Sequence, residues 1–206
     1  MIAIVNYGSG NIQAICNVYS RLGVRFVVAS KPEEVRAAEK ILLPGVGAFD
    51  QAMSELERSG LRAALVECVL GQGRPFLGIC VGMQLLAESS DEGSLPGLGW
   101  IKGRVRKFDR TRFKRGGKLP HMGWNTIAPT RASGLFRDIN FDRGFYFLHS
   151  YYFFCEDPAD ELARTDYGGE YTSAVNRRNV SGVQFHPEKS HQTGIQLLKN
   201  FAEGLA

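Results

Sequence analysis

GRPFLGICVGMQ, residues 73–84, holds a short apolar strand that breaks at a cysteine and continues at once as a helix-forming segment. The pattern predicts a strand over residues 75–79 and places Cys80 on the turn between strand and helix. Gly78 and Gly82 flank the cysteine, and they leave room for a strained backbone and for close approach of a substrate. A turn of this kind suits a nucleophile.

The helix that follows also favours a reactive sulfur at Cys80. Unpaired N–H groups in its first turn, including that of Val81, favour a thiolate over a thiol and can bind a developing oxyanion. The alternative is that Cys80 is a small buried hydrophobe, as most free cysteines are. That alternative is our interpretation of Cys16, Cys68 and Cys155, which lie in ordinary apolar patterns.

Strands and helices alternate through the first hundred residues. Apolar strands are expected at residues 2–5, 24–28 and 40–43, with a helix capped by Asn11 and another that opens at Pro32 behind a capping box of Ser30 and Glu33. From residue 99, short strands and aromatic residues replace this alternation, and residues 191–205 have the spacing of a closing helix. The sequence predicts an α/β fold with a central, mostly parallel sheet, helices on both faces and a mixed or antiparallel extension.

The length of 206 residues favours one domain over residues 1–206. No apolar run is long enough to span a bilayer, and the first residues lack the features of a signal peptide. Four scattered cysteines without a CxxC pair indicate a reducing compartment, and argue against a disulfide framework or a zinc site. We expect a cytoplasmic protein with no metal and no cofactor.

The formal net charge of +4 is concentrated in one segment after residue 101. Nucleic-acid binding is one interpretation, but the segment has no recognisable nucleic-acid motif and its alternation is typical of a strand with one solvated face. A solvated or partner-facing surface is the better interpretation. The basic residues are Lys102, Arg104, Arg106, Lys107, Arg110, Arg112, Lys114, Arg115 and Lys118.

A catalytic cysteine needs a base, and the base needs an orienting group. GVQFHPE, residues 182–188, offers both, because a buried strand would deliver His186 to the end of the sheet. In extended chain Glu188 faces the same way as His186 and can accept its imidazole N–H. The three residues predict a Cys-His-Glu triad for acyl transfer, whereas His121, His149 and His191 are interpreted first as structural.

The glycine turn PGVG, residues 44–47, follows the third predicted strand. It lacks the spacing of a nucleotide-binding loop. If this strand neighbours the Cys80 strand, the N–H groups of Val46 and Val81 can form one oxyanion hole. A plain tight turn is the alternative.

The motifs GICVGMQ and GVQFHPEKS resemble those of class I, triad-type glutamine amidotransferases. With PGVGAFD, KLPHMGWN, FYFLHSYY and NYGSGN they extend the resemblance over almost the whole chain, to the HisH family of glutaminase subunits of imidazole glycerol phosphate synthase. The resemblance implies a flavodoxin-like glutaminase that forms a heterodimer with a (β/α)8-barrel cyclase and feeds it ammonia for histidine biosynthesis.

The resemblance also implies roles for individual residues. Cys80 would form a γ-glutamyl thioester, His186 would transfer protons, and Glu188 would orient His186. Substrate glutamine would be held by Gly47, Gln84, Glu92, His149, Ser150 and Tyr151. The partner would be met by Asn11, Met122, Trp124, Asn125 and Lys189, although Trp124 is also compatible with ordinary core.

Three further functions stay open. Residues 156–175 and the closing helix also resemble paralogues that supply ammonia to a sugar-modifying partner in surface-polysaccharide biosynthesis. A stand-alone cysteine hydrolase would use the same turn, and a catalytically idle binding module would not need the triad. The apolar residues of MGWN argue against the hydrolase, and the triad argues against the idle module.

Overall fold

The computed structural model describes residues 1–113 and 118–204. Lys114 and Arg115 of the basic segment, and Leu205 of the predicted last helix, lie outside the described residues. In the first half strands and helices alternate, as the sequence predicts. The elements are β1 Ile2–Val5, α1 Ile12–Arg21, β2 Phe26–Ala29, α2 Pro32–Arg36, β3 Lys40–Gly45, α3 Phe49–Arg58, α4 Leu61–Leu65, β4 Phe76–Cys80, α5 Val81–Gln84 and β5 Ser89–Ser90.

Strands dominate the second half until the last helix closes the chain. A short 3₁₀ turn, Pro187–Lys189, precedes that helix. The elements are β6 Gly103–Lys107, β7 His121–Asn125, β8 Ala128–Pro129, β9 Phe145–His149, β10 Tyr151–Cys155, β11 Glu161–Asp166, β12 Glu170–Arg177, β13 Val180–Val183 and α6 His191–Glu203.

The main sheet has the strand order β2-β1-β3-β4-β13-β12-β10-β6-β5. The five strands from β2 to β13 are parallel, and β12, β10 and β6 extend the sheet by antiparallel pairing. The predicted α/β architecture with a mixed extension is therefore confirmed. The carboxyl ends of β3, β4 and β13 meet at one edge, where ligands of such sheets bind.

Helices cover the sheet with their apolar sides. On one side α1 contacts α6, and on the other α2 and α3 contact α4. In α1 the buried side chains are Ile15, Cys16 and Tyr19, which recur at helical spacing. Cys68 is also buried, as predicted, but Cys155 is partly exposed because it ends β10 near the protein surface. No helix among the described residues is long and apolar enough to cross a membrane.

Two local predictions about helix starts were wrong. Asn11 lies at the start of α1, but its side chain makes no capping hydrogen bond. At α2 the carboxylate of Glu34 accepts the N–H groups of Ser30 and Lys31 at 2.8 and 3.0 Å, so the capping glutamate is not Glu33. The helix begins at Pro32, two residues after the serine, so Lys31 occupies the N-cap position and the capping pair is shifted by one residue.

The aromatic stretch of residues 145–154 forms two strands in different sheets. β9 pairs with β7 in a separate two-stranded sheet, whereas β10 pairs with β6 and β12 in the main sheet. The chain changes sheets at Ser150. This crossover brings both strands beside the carboxyl edge of the parallel strands.

Candidate active site

Cys80 occupies a strained turn between β4 and α5. Its φ of 55° and ψ of −112° lie outside the regions that residues other than glycine usually adopt. The flanking glycines permit the turn, because a Cβ on Gly78 would lie 2.5 Å from the carbonyl oxygen of Gly82. A Cβ on Gly82 would lie 2.0 Å from the carbonyl oxygen of Leu43 in β3.

His186 reaches the same edge from the adjacent strand. β13 pairs with β4 so that Val183 lies opposite Ile79, and three residues later the His186 N–H donates to the carbonyl of Tyr146 at 2.8 Å. The imidazole Nδ1 lies 2.9 Å from Oε1 of Glu188. The chain from Pro187 forms a 3₁₀ turn and is not extended as the sequence suggested, so the turn brings Glu188 back beneath the imidazole.

The charge state of His186 follows from its neighbours. Burial by itself lowers the pKa of this imidazole, but the charge and hydrogen bond of Cys80 and the carboxylate of Glu188 outweigh burial and raise the pKa to about 10. His186 is therefore an imidazolium at neutral pH. Because Nδ1 donates its proton to Glu188, the proton on Nε2 is the one available to the Cys80 sulfur.

A cavity of about 320 Å³ opens above Cys80 and His186. All six residues predicted to hold substrate line it, together with both predicted oxyanion residues and Lys189; Glu188 lies behind His186. The structure therefore brings the predicted residues together, while their roles stay predictions. Those lining residues are Val46, Gly47, Val81, Gln84, Glu92, His149, Ser150, Tyr151 and Lys189.

Two glutamines connect the cavity wall to the sulfur. Gln84 Nε2 donates to the Tyr151 carbonyl at 3.1 Å and to Oε1 of Gln184 at 3.0 Å. Gln184 Nε2 in turn lies 3.7 Å from Cys80 Sγ. Gln184 is fully buried on the chain that leads from β13 to His186. Gln184 was not predicted as a site residue, because a glutamine between two apolar residues carries no separate signal in the sequence.

The Tyr151 carbonyl also fixes the protonation of two histidines. It lies 2.7 Å from His149 Nδ1, which must carry the proton because a carbonyl only accepts. His149 Nε2 then accepts from the Tyr171 hydroxyl at 3.2 Å, and the Tyr171 oxygen accepts from His121 Nδ1 at 3.0 Å. Burial lowers the pKa of His149 to about 3 and that of His121 to about 4, so both are neutral.

The predicted oxyanion turn lies beside the nucleophile, as expected from the pairing of β3 with β4. The Val46 N–H, however, donates to Ser9 Oγ at 2.9 Å, and the Ser9 hydroxyl donates to the Val46 carbonyl at 2.8 Å. The N–H must leave Ser9 before it can serve a substrate in the cavity. Its role in an oxyanion hole therefore stays a prediction that requires rotation of the Gly45–Val46 peptide.

Glu92 lines the cavity and also supports α3. Its carboxylate accepts the N–H of Phe49, the first residue of that helix, at 2.9 Å. A second face of the carboxylate group remains for a cation in the cavity, since each oxygen has two lone pairs. The geometry is compatible with the predicted contact to the ammonium group of glutamine.

Two of the residues predicted to face a partner, Met122 and Trp124, lie on one face of the two-stranded sheet. Met122 is 64% exposed and Trp124 is 48% exposed, and Leu148 lies opposite Met122 at 37%. Trp124 stacks on His191 with ring centroids 5.2 Å apart, so the alternative that Trp124 is core was wrong. Lys189 is exposed beside Tyr146, whereas Asn11 and Asn125 are half-buried, and Asn125 donates to the carbonyl of Asp166.

Comparisons with known proteins agree with this geometry. The family model described as glutamine amidotransferase class-I matches residues 3–205. The chain is 56% identical to imidazole glycerol phosphate synthase subunit HisH of Bdellovibrio bacteriovorus, covering 98% of this chain and 100% of the relative. It is 47% identical to the subunit of the same name from Leptospira borgpetersenii, covering 98% and 99%. A crystal structure of a glutamine amidotransferase superposes with a TM-score of 0.72 at 18% identity over 98% of each chain, which confirms the fold.

Proposed function

The chain belongs to the class-I glutamine amidotransferase family, and on that basis we propose that Cys80, His186 and Glu188 are the triad with which it releases ammonia from glutamine. The protein is the glutaminase subunit of an imidazole glycerol phosphate synthase and acts in histidine biosynthesis. The observation that supports the residue assignment is the ion pair between His186 and Glu188 beside the strained Cys80 turn, at the open edge of the parallel strands.

The proposed reaction uses the sulfur first. The Cys80 thiolate attacks the carboxamide carbon of the glutamine side chain, and a C–S bond forms as the carbonyl oxygen becomes an oxyanion. When this intermediate collapses, the C–N bond breaks and the nitrogen takes the proton of His186. Ammonia leaves, and a γ-glutamyl thioester remains on Cys80.

Water completes the cycle. His186, now neutral, accepts a proton from water as the oxygen attacks the thioester carbon, and the C–S bond then breaks to release glutamate. Glu188 stabilises the imidazolium and keeps its second nitrogen toward the sulfur throughout. The N–H groups of Val81 and, after rotation, Val46 would bind the oxyanion in both halves of the reaction.

We propose that the ammonia passes to a (β/α)8-barrel cyclase subunit, which forms imidazole glycerol phosphate and AICAR. The word subunit in the names of the relatives supports a second chain. Met122, Trp124 and Leu148 form an exposed apolar surface next to the cavity, which Leu148 also lines. Exposed apolar patches of this kind mark interaction sites. Neither relative described above has a name that points to surface-polysaccharide biosynthesis.

Complementation of a histidine auxotroph that lacks its glutaminase subunit tests the pathway. We expect growth without histidine from the wild-type gene and none from Cys80→Ala. In vitro, Cys80→Ala should abolish glutamine hydrolysis while added ammonia still supports the partner's reaction, because only the nucleophile is lost. Retained glutaminase activity in this variant would contradict the triad.

A further inference from the structure

We propose that Gln184 is a further residue of the catalytic machinery, one whose side-chain N–H donates to the Cys80 sulfur and stabilises its thiolate form. This proposal rests on the proposed role of Cys80 as nucleophile. It concerns a side chain that is 0% exposed and lies directly before the Phe185-His186 pair. The contact between Gln184 Nε2 and Cys80 Sγ is 3.7 Å long, within the range of a hydrogen bond to sulfur.

The orientation of the Gln184 amide is decided by a backbone carbonyl two contacts away. The Tyr151 carbonyl can only accept, so Gln84 must present its NH₂ group to it. The same NH₂ group then donates its second proton to Gln184, which therefore accepts through its side-chain oxygen, Oε1. The NH₂ group of Gln184 is thereby left facing the sulfur.

The direction of this hydrogen bond determines whether Gln184 favours the thiolate or the thiol form of Cys80. A reversed amide would place a carbonyl oxygen against the sulfur, and the partial negative charge would favour the thiol. A donor favours the thiolate, which is the form that attacks the substrate. Because the glutamines and the sulfur are buried, the effective dielectric constant is low and each hydrogen bond in the chain strengthens its neighbour.

The backbone around Gln184 holds the side chain in place. Its N–H donates to the carbonyl of Ser173 in β12 at 2.9 Å, so this neighbouring strand fixes its position. The Ser173 hydroxyl is buried and makes no hydrogen bond among the described residues. Ser173→Ala therefore changes the packing beside Gln184 without touching the hydrogen-bond chain, and it is a matched control.

Other groups also act on the sulfur, and the test must hold them constant. His186 interacts with Cys80 by charge and by a hydrogen bond, and Glu188 pairs with His186. The remaining titratable groups that face Cys80 or share its cavity are Tyr7, Tyr171, Glu92, His149, Tyr151 and Lys189. None of them is altered by a substitution at Gln184.

The experiment measures alkylation of Cys80 by iodoacetamide against pH, with the modified residue identified by peptide mapping. In Gln184→Met, which has similar length but no donor, we expect the alkylation profile of Cys80 to move to higher pH by about one unit, equivalent to about tenfold less thiolate at pH values below its midpoint. Ser173→Ala should keep the wild-type profile. At pH values below that midpoint, the value of kcat for glutamine should fall in Gln184→Met in proportion to the lost thiolate.

Gln184→Glu provides a second test if Gln184→Met does not fold. Its carboxylate has the same shape but places negative charge against the sulfur, so the alkylation profile should move to higher pH. Profiles of the Gln184 variants that coincide with that of Ser173→Ala would overturn the proposal and leave the triad intact. Glutaminase activity in Cys80→Ala would instead overturn the proposed function itself.

Discussion

Gly45 lies directly opposite Cys80 in the adjacent parallel strands β3 and β4. A Cβ on Gly45 would lie 2.7 Å from the N atom of Gly82, 2.7 Å from the Tyr7 hydroxyl and 3.0 Å from the Val81 Cβ. The glycine turn after β3 is thus in close contact with the turn that contains Cys80. A movement of one turn must therefore displace the other, because the contact includes backbone atoms that cannot move aside independently.

Gly45→Ala should therefore disable the site. The added methyl group meets backbone of the Cys80 turn, and overpacking of this kind costs about 1–3 kcal/mol. We expect a lower free energy of unfolding by chemical denaturation and a large loss of glutaminase activity. Gly71→Ala is the control, since a Cβ there meets nothing within 4 Å. Wild-type activity in Gly45→Ala would show that the two turns are not coupled.

A glutamine-analogue electrophile should label one cysteine only. Cys80 has His186 and the cavity beside it, whereas Cys16 and Cys68 are buried away from the site. At Cys155, burial and the carboxylates of Asp160 and Glu161 raise the thiol pKa to about 12, so little thiolate forms. Peptide mapping after a short exposure should find the label on Cys80. Comparable labelling of another cysteine would contradict the assignment.

The sequence predicted the parallel sheet and the triad because each rests on local pattern. Buried strands, the glycine-flanked cysteine and the histidine after an apolar strand are all readable from neighbouring residues. Gln184 and Ser9 were not predicted as parts of the site, since each acts through a contact with a distant turn or strand. The separate two-stranded sheet of β7 and β9 was missed for the same reason: pairing between distant strands leaves little trace in either one.

The pH dependence of stability should report the charge on His186. Its pKa in the folded protein, about 10, lies above its ordinary value of 6.5, so folding favours the protonated form. The stabilising contribution is complete below pH 6.5 and is lost as the pH rises through 10. The free energy of unfolding of the wild type, from denaturant titrations at several pH values, should fall across this window.

Two variants separate the causes of that dependence. Cys80→Ala should flatten the decline most, because Cys80 makes the largest contribution that raises the pKa of His186. Glu188→Gln should flatten it less, and should reduce glutaminase activity less than Cys80→Ala does, because nucleophile and base both remain. An unchanged decline in Cys80→Ala would mean that the sulfur and the imidazole do not interact.

Trp124→Ala should weaken binding of the cyclase partner by more than about tenfold in Kd, since exposed tryptophans at interface centres often carry much of the binding energy. Trp124 has few contacts within the chain beyond His191 and Tyr146, so the fold should survive. Leu70→Ala is the control, because Leu70 is 52% exposed but precedes β4, at the opposite end of that strand from Cys80. Titration calorimetry with the purified partner would measure Kd for both variants. Equal Kd values for Trp124→Ala and Leu70→Ala would show that Trp124 is not part of the interface.

Ser9→Ala should raise the glutaminase activity of the isolated chain. In the described conformation Ser9 binds both the N–H and the carbonyl of Val46, and this holds the N–H away from the cavity. One oxyanion donor is worth about 10²–10³ in rate, so its capture by Ser9 is enough to keep the isolated subunit nearly idle. Gly47, with φ of 89°, gives the turn the freedom to rotate. Docking of the acceptor-loaded partner would shift the same peptide, and the wild type should therefore be activated strongly.

The restraint by Ser9 is tested by measuring steady-state ammonia release in three states: the free subunit, the complex, and the complex with acceptor analogue. The wild type should accelerate by orders of magnitude across the series. Ser9→Ala should start higher and gain less, because the N–H is already released from the bond that restrains it, and Ser9→Thr should behave like the wild type since it keeps the hydroxyl. Equal rates of the wild type in all three states would mean that the oxyanion hole is preformed. A Ser9→Ala subunit as idle as the wild type would show that the restraint on Val46 lies in another contact.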